Sequence, residues 1–358
     1  MRLLFVTQKL DADDPVLAQT VDLVRELAAR FERVDVLCDA AGRHDAPPNV
    51  RVRTYGSRTR AGRGIRFVRG LAASLFPRTT RPDAVLVHMI PLFVLLAAPL
   101  AWALRRPLLL WYTHWHASRA LRASLPLLDV ALSVSEGSFP LPTPKLVATG
   151  HAIDPSQFAP GDAREPGRLR LLALGRTARW KGYETMLDGL ERAAARGLDA
   201  ELEIRGPQLT GDERAHANEL RARIDASPAL RERVRIEPPL PRDELPAVLR
   251  RADALLSATQ PRASETLDKV VYEAAASGVP VIASNTALAG FLAGLPLELA
   301  FPARDGDALA DRLVALAAAD EETRRAAGLE LRRRVVEGHS VAHWADQVAR
   351  IVGDLGRQ

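Results

Sequence analysis

Arg176 and Lys181 stand five residues apart between two glycines, in the run Gly175-Arg176-Thr177-Ala178-Arg179-Trp180-Lys181-Gly182. A glycine lets the backbone turn sharply, the arginine offers a planar fork to phosphate oxygens, and the lysine is a mobile point charge. The spacing is not that of a P-loop, which needs Gly-Lys-Ser/Thr after a longer interval. Further on, the run from Ser264 to Ile282 carries Glu265 and Glu273, eight residues apart. Eight steps of ~100° amount to two turns plus about 80°, so two glutamates on one helix would diverge. Glu265 is therefore read in a loop and Glu273 in a helix starting near Asp268, with Asp268 as N-cap and Gly278 in the left-handed position past its end. A helix start beside a parallel strand favours anions, whereas carboxylates there suit the hydroxyls of a ribose or sugar. Cations for a diphosphate with acids beside them describe a nucleotide-sugar site, and the same cations would stabilise charge growing on a leaving diphosphate. The plainer reading is a solvated loop, a Lys269–Glu273 surface pair worth a few tenths of a kcal/mol, and a merely solvated Glu265.

A third group lies far upstream, in Thr113-His114-Trp115-His116. It follows the apolar run Leu108–Tyr112, and a histidine at the carboxyl end of a parallel strand sits where open α/β sheets bind ligands. His114 is read as substrate-facing. Metal ligation by the two histidines lacks a third ligand at suitable spacing, so no metal is expected.

These groups need strands and helices to position them. Arg2–Thr7, Val34–Cys38, Val50–Thr54, Ala84–His88, Leu108–Tyr112, Val130–Val134 and Leu146–Ala148 read as strands. Between them, Pro15–Phe31 reads as an amphipathic helix with Val16, Ala18, Leu23, Leu27 and Phe31 inward, and Leu92–Leu104 as an apolar crossover helix. The uncharged run Ile90–Leu104 is interrupted by Pro91 and Pro99 and falls short of the about 20 residues a membrane span needs. Strands alternating with helices imply a parallel sheet with right-handed crossovers. Proline and glycine then concentrate between 150 and 167, a domain boundary. A second series follows: strand Leu169–Leu174, helix Gly182–Arg196, strand Leu202–Arg205, helix Glu213–Ile224, and on to the Ser264–Ile282 run. The expected fold is α/β, two Rossmann-like doubly wound lobes facing each other across a cleft.

The length of 358 residues fits two cores, and 47% hydrophobic with 26% charged residues is ordinary for globular domains. A single cysteine, Cys38, excludes an internal disulfide and a cysteine-built metal site, and fits a reducing compartment. The amino-terminal apolar run is too short for a signal peptide and reads as a first strand. Charge is uneven. Residues 1–150 hold 20 Lys and Arg against 12 Asp and Glu, and residues 50–82 hold nine arginines and no acid. Such a patch attracts anionic partners. Nucleic acid is not expected, because aromatic interleaving and a reading helix are missing. Within the patch, Ile65, Val68, Leu71, Ala72 and Leu75 recur at helical spacing beside Arg63, Arg66 and Arg69. They read as a core-facing stripe with a solvated arginine face, the other reading being a basic amphipathic helix at a membrane surface.

Over nearly its whole length the chain resembles the retaining family-4 glycosyltransferases of the GT-B fold. Gly175-Arg176 with Lys181-Gly182 is similar to the family's phosphate motif, Glu265…Glu273 with Ala274 to Ile282 to its Glu-x7-Glu signature, and Thr149-Gly150-His151-Ala152-Ile153-Asp154 with Phe158 to its linker. The resemblance implies an acceptor-side domain over 1–155, a donor domain over 156–338, and a helix over 339–358 returning to the first. It implies sugar transfer with retention from a nucleotide-diphosphate sugar to a glycan, a polyprenyl- or lipid-linked glycan or a small molecule. Arg176 and Lys181 would hold the donor diphosphate, with Gly175, Lys269 and the backbone N–H groups of Thr266 and Leu267 around it. Glu273 would take the ribose hydroxyls, Glu265 the donor sugar hydroxyls, and His114 would touch the sugar near the reacting carbon. Neither metal nor cofactor is implied. The implied location is cytoplasmic, peripheral at the inner face of the membrane where residues 50–82 meet it. Two departures stand out: the first-strand loop Gln8–Asp14 has no glycine, and Asp268-Lys269 replaces a common Gly-Leu or Gly-Ile. Asp11-Ala12-Asp13 in that loop reads as helix-start acids rather than a metal motif. A catalytically silent scaffold and a sugar-nucleotide epimerase or hydrolase are the alternatives.

Overall fold

A computed structural model describes residues 1–14, 16–161, 167–260 and 268–357. The chain divides into two compact units, residues 1–154 with 338–358 and residues 155–337.

The first unit is built on a seven-stranded sheet in the order Val50–Thr54, Arg33–Cys38, Arg2–Val6, Ala84–His88, Leu108–Trp111, Val130–Ser133, Leu146–Ala148. Every pairing is parallel. Its central strands read as unbroken apolar runs because both faces are covered. Leu3 and Phe5 point to one face, with Leu23, Leu27, Trp111 and Trp344; Leu4 and Val6 point to the other, with Phe67, Leu71, Val94 and Ala97. The last helix, Val341–Leu355, is capped by the Ser340 hydroxyl. It sets a fully buried Trp344 against Trp111, ring centroids 4.8 Å apart. Ile153 is tied to the returning segment on both sides of Ser340 by backbone hydrogen bonds (Ile153 N–H to His339 O, 2.8 Å; Val341 N–H to Ile153 O, 2.7 Å).

Two helices depart from the sequence expectation. The helix expected over Pro15–Phe31 spans only Thr20–Ala28. The Asp14 carboxylate accepts from the N–H groups of Val16 and Leu17 and holds a turn there instead, which leaves Val16 79% exposed rather than inward. The basic helix runs Arg60–Leu75 and buries Phe67, Leu71, Ser74 and Leu75. Ile65 and Val68, expected at the core with them, face solvent. The apolar helix Pro91–Ala103 has 13 residues, and no helix among the described residues is long and apolar enough to cross a membrane.

His88 ends the fourth strand, buried between the rings of Phe5 and Trp111, with Nδ1 3.0 Å from the Thr7 hydroxyl. Burial pushes its pKa down to about 4, and burial with the nearby His343 does the same to His339. Both rings fold neutral, while the unfolded chain protonates them near pH 6.5. Unfolding therefore takes up protons below that pH. The contribution is complete above about pH 6.5 and is lost as pH falls toward 4, by about 2 kcal/mol for His88 at pH 5. Urea titrations should show the first unit's midpoint dropping between pH 7 and pH 5, and His88→Phe should flatten part of that drop; an unchanged midpoint would contradict the assignment.

The second unit carries a five-stranded parallel sheet in the order Val234–Glu237, Ala200–Arg205, Leu169–Leu174, Ala254–Ser257, Val281–Ala283. Strand order reverses between Leu169–Leu174 and Ala254–Ser257. Chains leaving the carboxyl ends of these two strands diverge to opposite faces and open a crevice, the position where doubly wound sheets bind ligands.

Candidate donor site in the second unit

The Gly175–Gly182 loop leaves the first of those two strands. Gly175 adopts φ 141°, and a Cβ there would lie 3.1 Å from the Nζ of Lys181. A side chain at this position would therefore press on the ammonium. Gly182 adopts φ 69° at the start of the helix Tyr183–Ala195. There a Cβ would meet the Ala258 carbonyl oxygen at 2.1 Å, so the loop lies against the end of the neighbouring strand. Tyr183 secures the turn by donating to the Gly175 carbonyl at 2.8 Å.

This geometry carries Lys181 across the switch point. Its ammonium lies 2.6 Å from Asp268 Oδ1 and 4.7 Å from the Trp180 ring centroid, with only 10% of the side chain exposed. Asp268 does occupy the N-cap of the helix Lys269–Ala276, but its side chain makes no cap hydrogen bond. The capping role expected from the sequence is replaced: Asp268 accepts from Lys181 and from the Thr259 hydroxyl (2.9 Å), the stronger, charge-assisted alternative. Gly278 takes φ 68° past the helix end, as its type predicts.

Glu273, one turn into that helix, is 3% exposed. Its Oε1 lies 3.0 Å from Arg242 and 3.4 Å from Lys269. The Lys269–Glu273 pair thus exists, yet Glu273 is no surface residue. Burial is tolerated because two cations meet the carboxylate. Arg242 also lies over the Phe158 ring at 5.6 Å. Arg242 went unnoticed in the sequence; the hint was an arginine closing the run Pro238-Pro239-Leu240-Pro241 after a strand end.

Arg176 is held elsewhere. Its guanidinium pairs with Glu213 in the first turn of the helix Gly211–Ala226. Glu213 is 2% exposed and also accepts from the Leu209 N–H at 2.7 Å. Burial works against its charge, but the bonds from Arg176 and Leu209 outweigh it and hold the carboxyl below its usual range. The same helix grips the loop twice more. His216 donates from Nδ1 to the Thr177 carbonyl at 2.9 Å, and Glu219 takes both guanidinium nitrogens of Arg179 at 2.8 Å. A cavity of about 560 Å³ opens beside the loop, lined by Arg176, Arg179, Trp180, Thr210, Asp212 and Gln260. Nothing local in the sequence links Glu213 or His216 to the loop; the fold brings them to it.

Lys181, Lys269 and Glu273 are therefore gathered around one helix start, while Arg176 projects toward the cavity from a different carboxylate. Glu265, Thr266 and Leu267 lie outside the described residues. His114 belongs to the first unit and follows the strand Leu108–Trp111, exposed and stacked on Trp115 at 5.5 Å. Its Nδ1 accepts the His116 N–H at 3.1 Å, which leaves the proton of the neutral ring on Nε2. Partial burial, with His116 beside it, lowers its pKa. In the Gln8–Asp14 loop, Asp13 pairs with Arg43 and Asp14 with Lys9 at 2.7 Å. Among the described residues no group of three or more His, Cys, Asp or Glu could hold a metal ion.

Each unit carries a parallel doubly wound sheet, and similarity over nearly the whole chain to solved glycosyltransferase structures gives the fold as GT-B. Residues 168–319, within the second unit, match the family described as Glycosyl transferases group 1. The chain is 33% identical over 182 residues to a D-inositol 3-phosphate glycosyltransferase of Catenulispora acidiphila, covering 45% of this chain and 42% of that protein. It thus spans less than half the length of that relative. Two solved structures share the fold: sucrose-phosphate synthase from Thermosynechococcus elongatus (TM-score 0.71, 19% identity, 99% and 98% of the two chains) and Anabaena HepE in complex with UDP-glucose (TM-score 0.71, 17% identity, 99% and 100%).

Proposed function

We propose that the chain is a retaining glycosyltransferase that moves a sugar from a nucleotide-diphosphate sugar to a hydroxyl of a glycan, lipid-linked or small-molecule acceptor. One observation carries the reading: the Gly175–Gly182 loop delivers a nearly buried ammonium, Lys181, to the start of the helix that bears Glu273. Ammonium, helix N-terminus and carboxylate in succession match a diphosphate followed by ribose hydroxyls. The family match over 168–319 and the UDP-glucose complex of HepE support the same ligand class.

In this reading Arg176 and Lys181 bind the diphosphate, and Glu273, steadied by Arg242 and Lys269, accepts from the ribose. The acceptor oxygen bonds to the anomeric carbon on the face the diphosphate leaves. The bond from that carbon to the phosphate oxygen breaks, and the acceptor's proton passes to the departing oxygen. The two side chains take up the charge left on the diphosphate, the role a metal fills in other folds. From the first unit, His114 is the residue that the family resemblance assigns to the donor sugar.

A thermal-shift screen over UDP-, GDP-, ADP- and dTDP-sugars tests this. A donor at a hundred times its Kd stabilises by about 2.7 kcal/mol, several degrees in melting temperature for a unit of this size. No shift with any of them would overturn the reading, and full-rate product formation that needs no acceptor would instead make the chain a sugar-nucleotide epimerase or hydrolase.

A further inference from the structure

The carboxyl edge of the first unit's sheet carries three flat rings in one short loop. His114, Trp115 and His116 follow the strand Leu108–Trp111, with Trp115 stacked on His114 at 5.5 Å and edge-on to His116 at 5.6 Å. Trp115 is 37% exposed, although the hydrophobic effect favours covering an indole.

The loop holds that ring in place. Tyr112, itself buried, donates its hydroxyl to the His116 carbonyl at 2.7 Å, and the His116 N–H returns to His114 Nδ1 at 3.1 Å. Just past the neighbouring strand Ala84–His88, Met89 adopts φ 65°, a left-handed backbone that disfavours any side chain. Its sulfur accepts from the Thr113 N–H at 3.4 Å and from the Thr113 hydroxyl at 3.3 Å. Strain of this kind persists where the surroundings overdetermine it, and it collects at ligand sites. An aromatic ring fixed beforehand offers contact area at little entropic cost.

The chemistry around the ring selects the ligand. Residues 112–118 supply hydroxyls, imidazoles and an indole, but no carboxylate, lysine or arginine. On the loops that follow neighbouring strands, Lys9 is matched by Asp14 at 2.7 Å and Arg43 by Asp13. A phosphate meets no opposing charge in residues 112–118, and a cationic ligand meets no carboxylate there. A neutral pyranose suits both parts: its C–H face lies flat on an indole, and its hydroxyls exchange hydrogen bonds with imidazole and hydroxyl groups.

We propose that Trp115 is the platform for the acceptor, and that the part of the acceptor seated there is a neutral pyranose of a glycan, stacked by its C–H face on the indole. This rests on the glycosyltransferase reading above, in which His114, the ring stacked on Trp115, belongs to the donor sugar.

Saturation-transfer NMR on the full chain, without any nucleotide, tests it. The probes are the methyl pyranosides of glucose, galactose, mannose, N-acetylglucosamine and rhamnose, with inositol 3-phosphate as the charged comparison. At least one pyranoside should receive saturation, strongest at the C–H protons of one face. Trp115→Ala should weaken its binding roughly tenfold, and Trp115→Phe, which keeps a ring, about threefold or less, both at an unchanged melting temperature. Absence of saturation on every pyranoside overturns the proposal, as does unchanged affinity in Trp115→Ala or tighter binding of inositol 3-phosphate than of any pyranoside. The donor thermal shift of the parent protein is read separately: its absence removes the glycosyltransferase reading, whereas its presence beside a failed pyranoside test removes only the platform.

Discussion

Lys181→Met should abolish donor-dependent activity and destabilise the second unit at once. Methionine keeps the length of the side chain and its contact with the Trp180 ring but removes the charge that meets Asp268 at 2.6 Å. With the two side chains 10% and 13% exposed, Asp268 is left a nearly buried carboxylate supported only by the Thr259 hydroxyl. Breaking such a pair costs about 3 kcal/mol. Losing the charge opposite a departing diphosphate costs on the order of a hundredfold or more in kcat. The two effects separate in Asp268→Asn, which breaks the same pair yet keeps the ammonium. Its melting temperature should fall in the same way, while a large part of donor binding survives. A Lys181→Met protein that is less stable but binds donor like the parent would reduce Lys181 to a structural residue.

Gly182→Ala is expected to destabilise the second unit strongly. At φ 69° an L-residue pays about 1–2 kcal/mol in backbone strain. The added Cβ would also stand 2.1 Å from the Ala258 carbonyl, where no flexible side chain can yield and backbone must move. Together these amount to roughly 3–5 kcal/mol, or about 10 °C in melting temperature. Gly197 supplies the comparison: it has φ 88° but nothing within 4 Å of its hypothetical Cβ. Gly197→Ala should therefore show the strain alone, a few degrees. Because the loop that moves carries Lys181, Gly182→Ala should lose donor binding too. Calorimetry on both variants reads the difference, and equal melting temperatures would mean that the close approach to Ala258 is relieved without cost.

The cations of the site lie within a balanced arrangement. Arg176 has Glu213, Lys181 has Asp268, and Glu273 has Arg242 and Lys269. Such pairing holds each side chain in one direction before any ligand arrives, which lowers the ordering cost of binding. Only Lys269, four residues from Glu273, is a partner that local spacing pairs; Glu213 and Arg242 are not. Glu213 lies 37 residues from Arg176 and Arg242 31 residues from Glu273, separations at which no local periodicity links two positions. By contrast the glycines at 175, 182 and 278 were legible, because a backbone turn leaves a mark on the residue that makes it.

The same division runs through the first unit. Its strands could be read from apolar runs, since a parallel strand covered on both faces is apolar whatever its neighbours are. The helix expected from Pro15 failed because Asp14 satisfies the N–H groups of Val16 and Leu17 in a turn. The basic helix was found but rotated, because apolar residues at mixed three- and four-residue spacings fit either of two faces.

By itself, then, the order of residues determined which segments are strands, where the chain turns, and which cations and acids are chemically suited to a diphosphate and a polyol. Those properties follow from local sterics, hydropathy and side-chain chemistry. Only tertiary structure decided that Asp268 serves Lys181 rather than its own helix, that Glu213 and Arg242 stand behind the named residues, and that Ile65 and Val68 turn toward solvent. Each of those outcomes depends on which distant surface the fold brings within about 3–4 Å, the reach of a hydrogen bond or a packed contact.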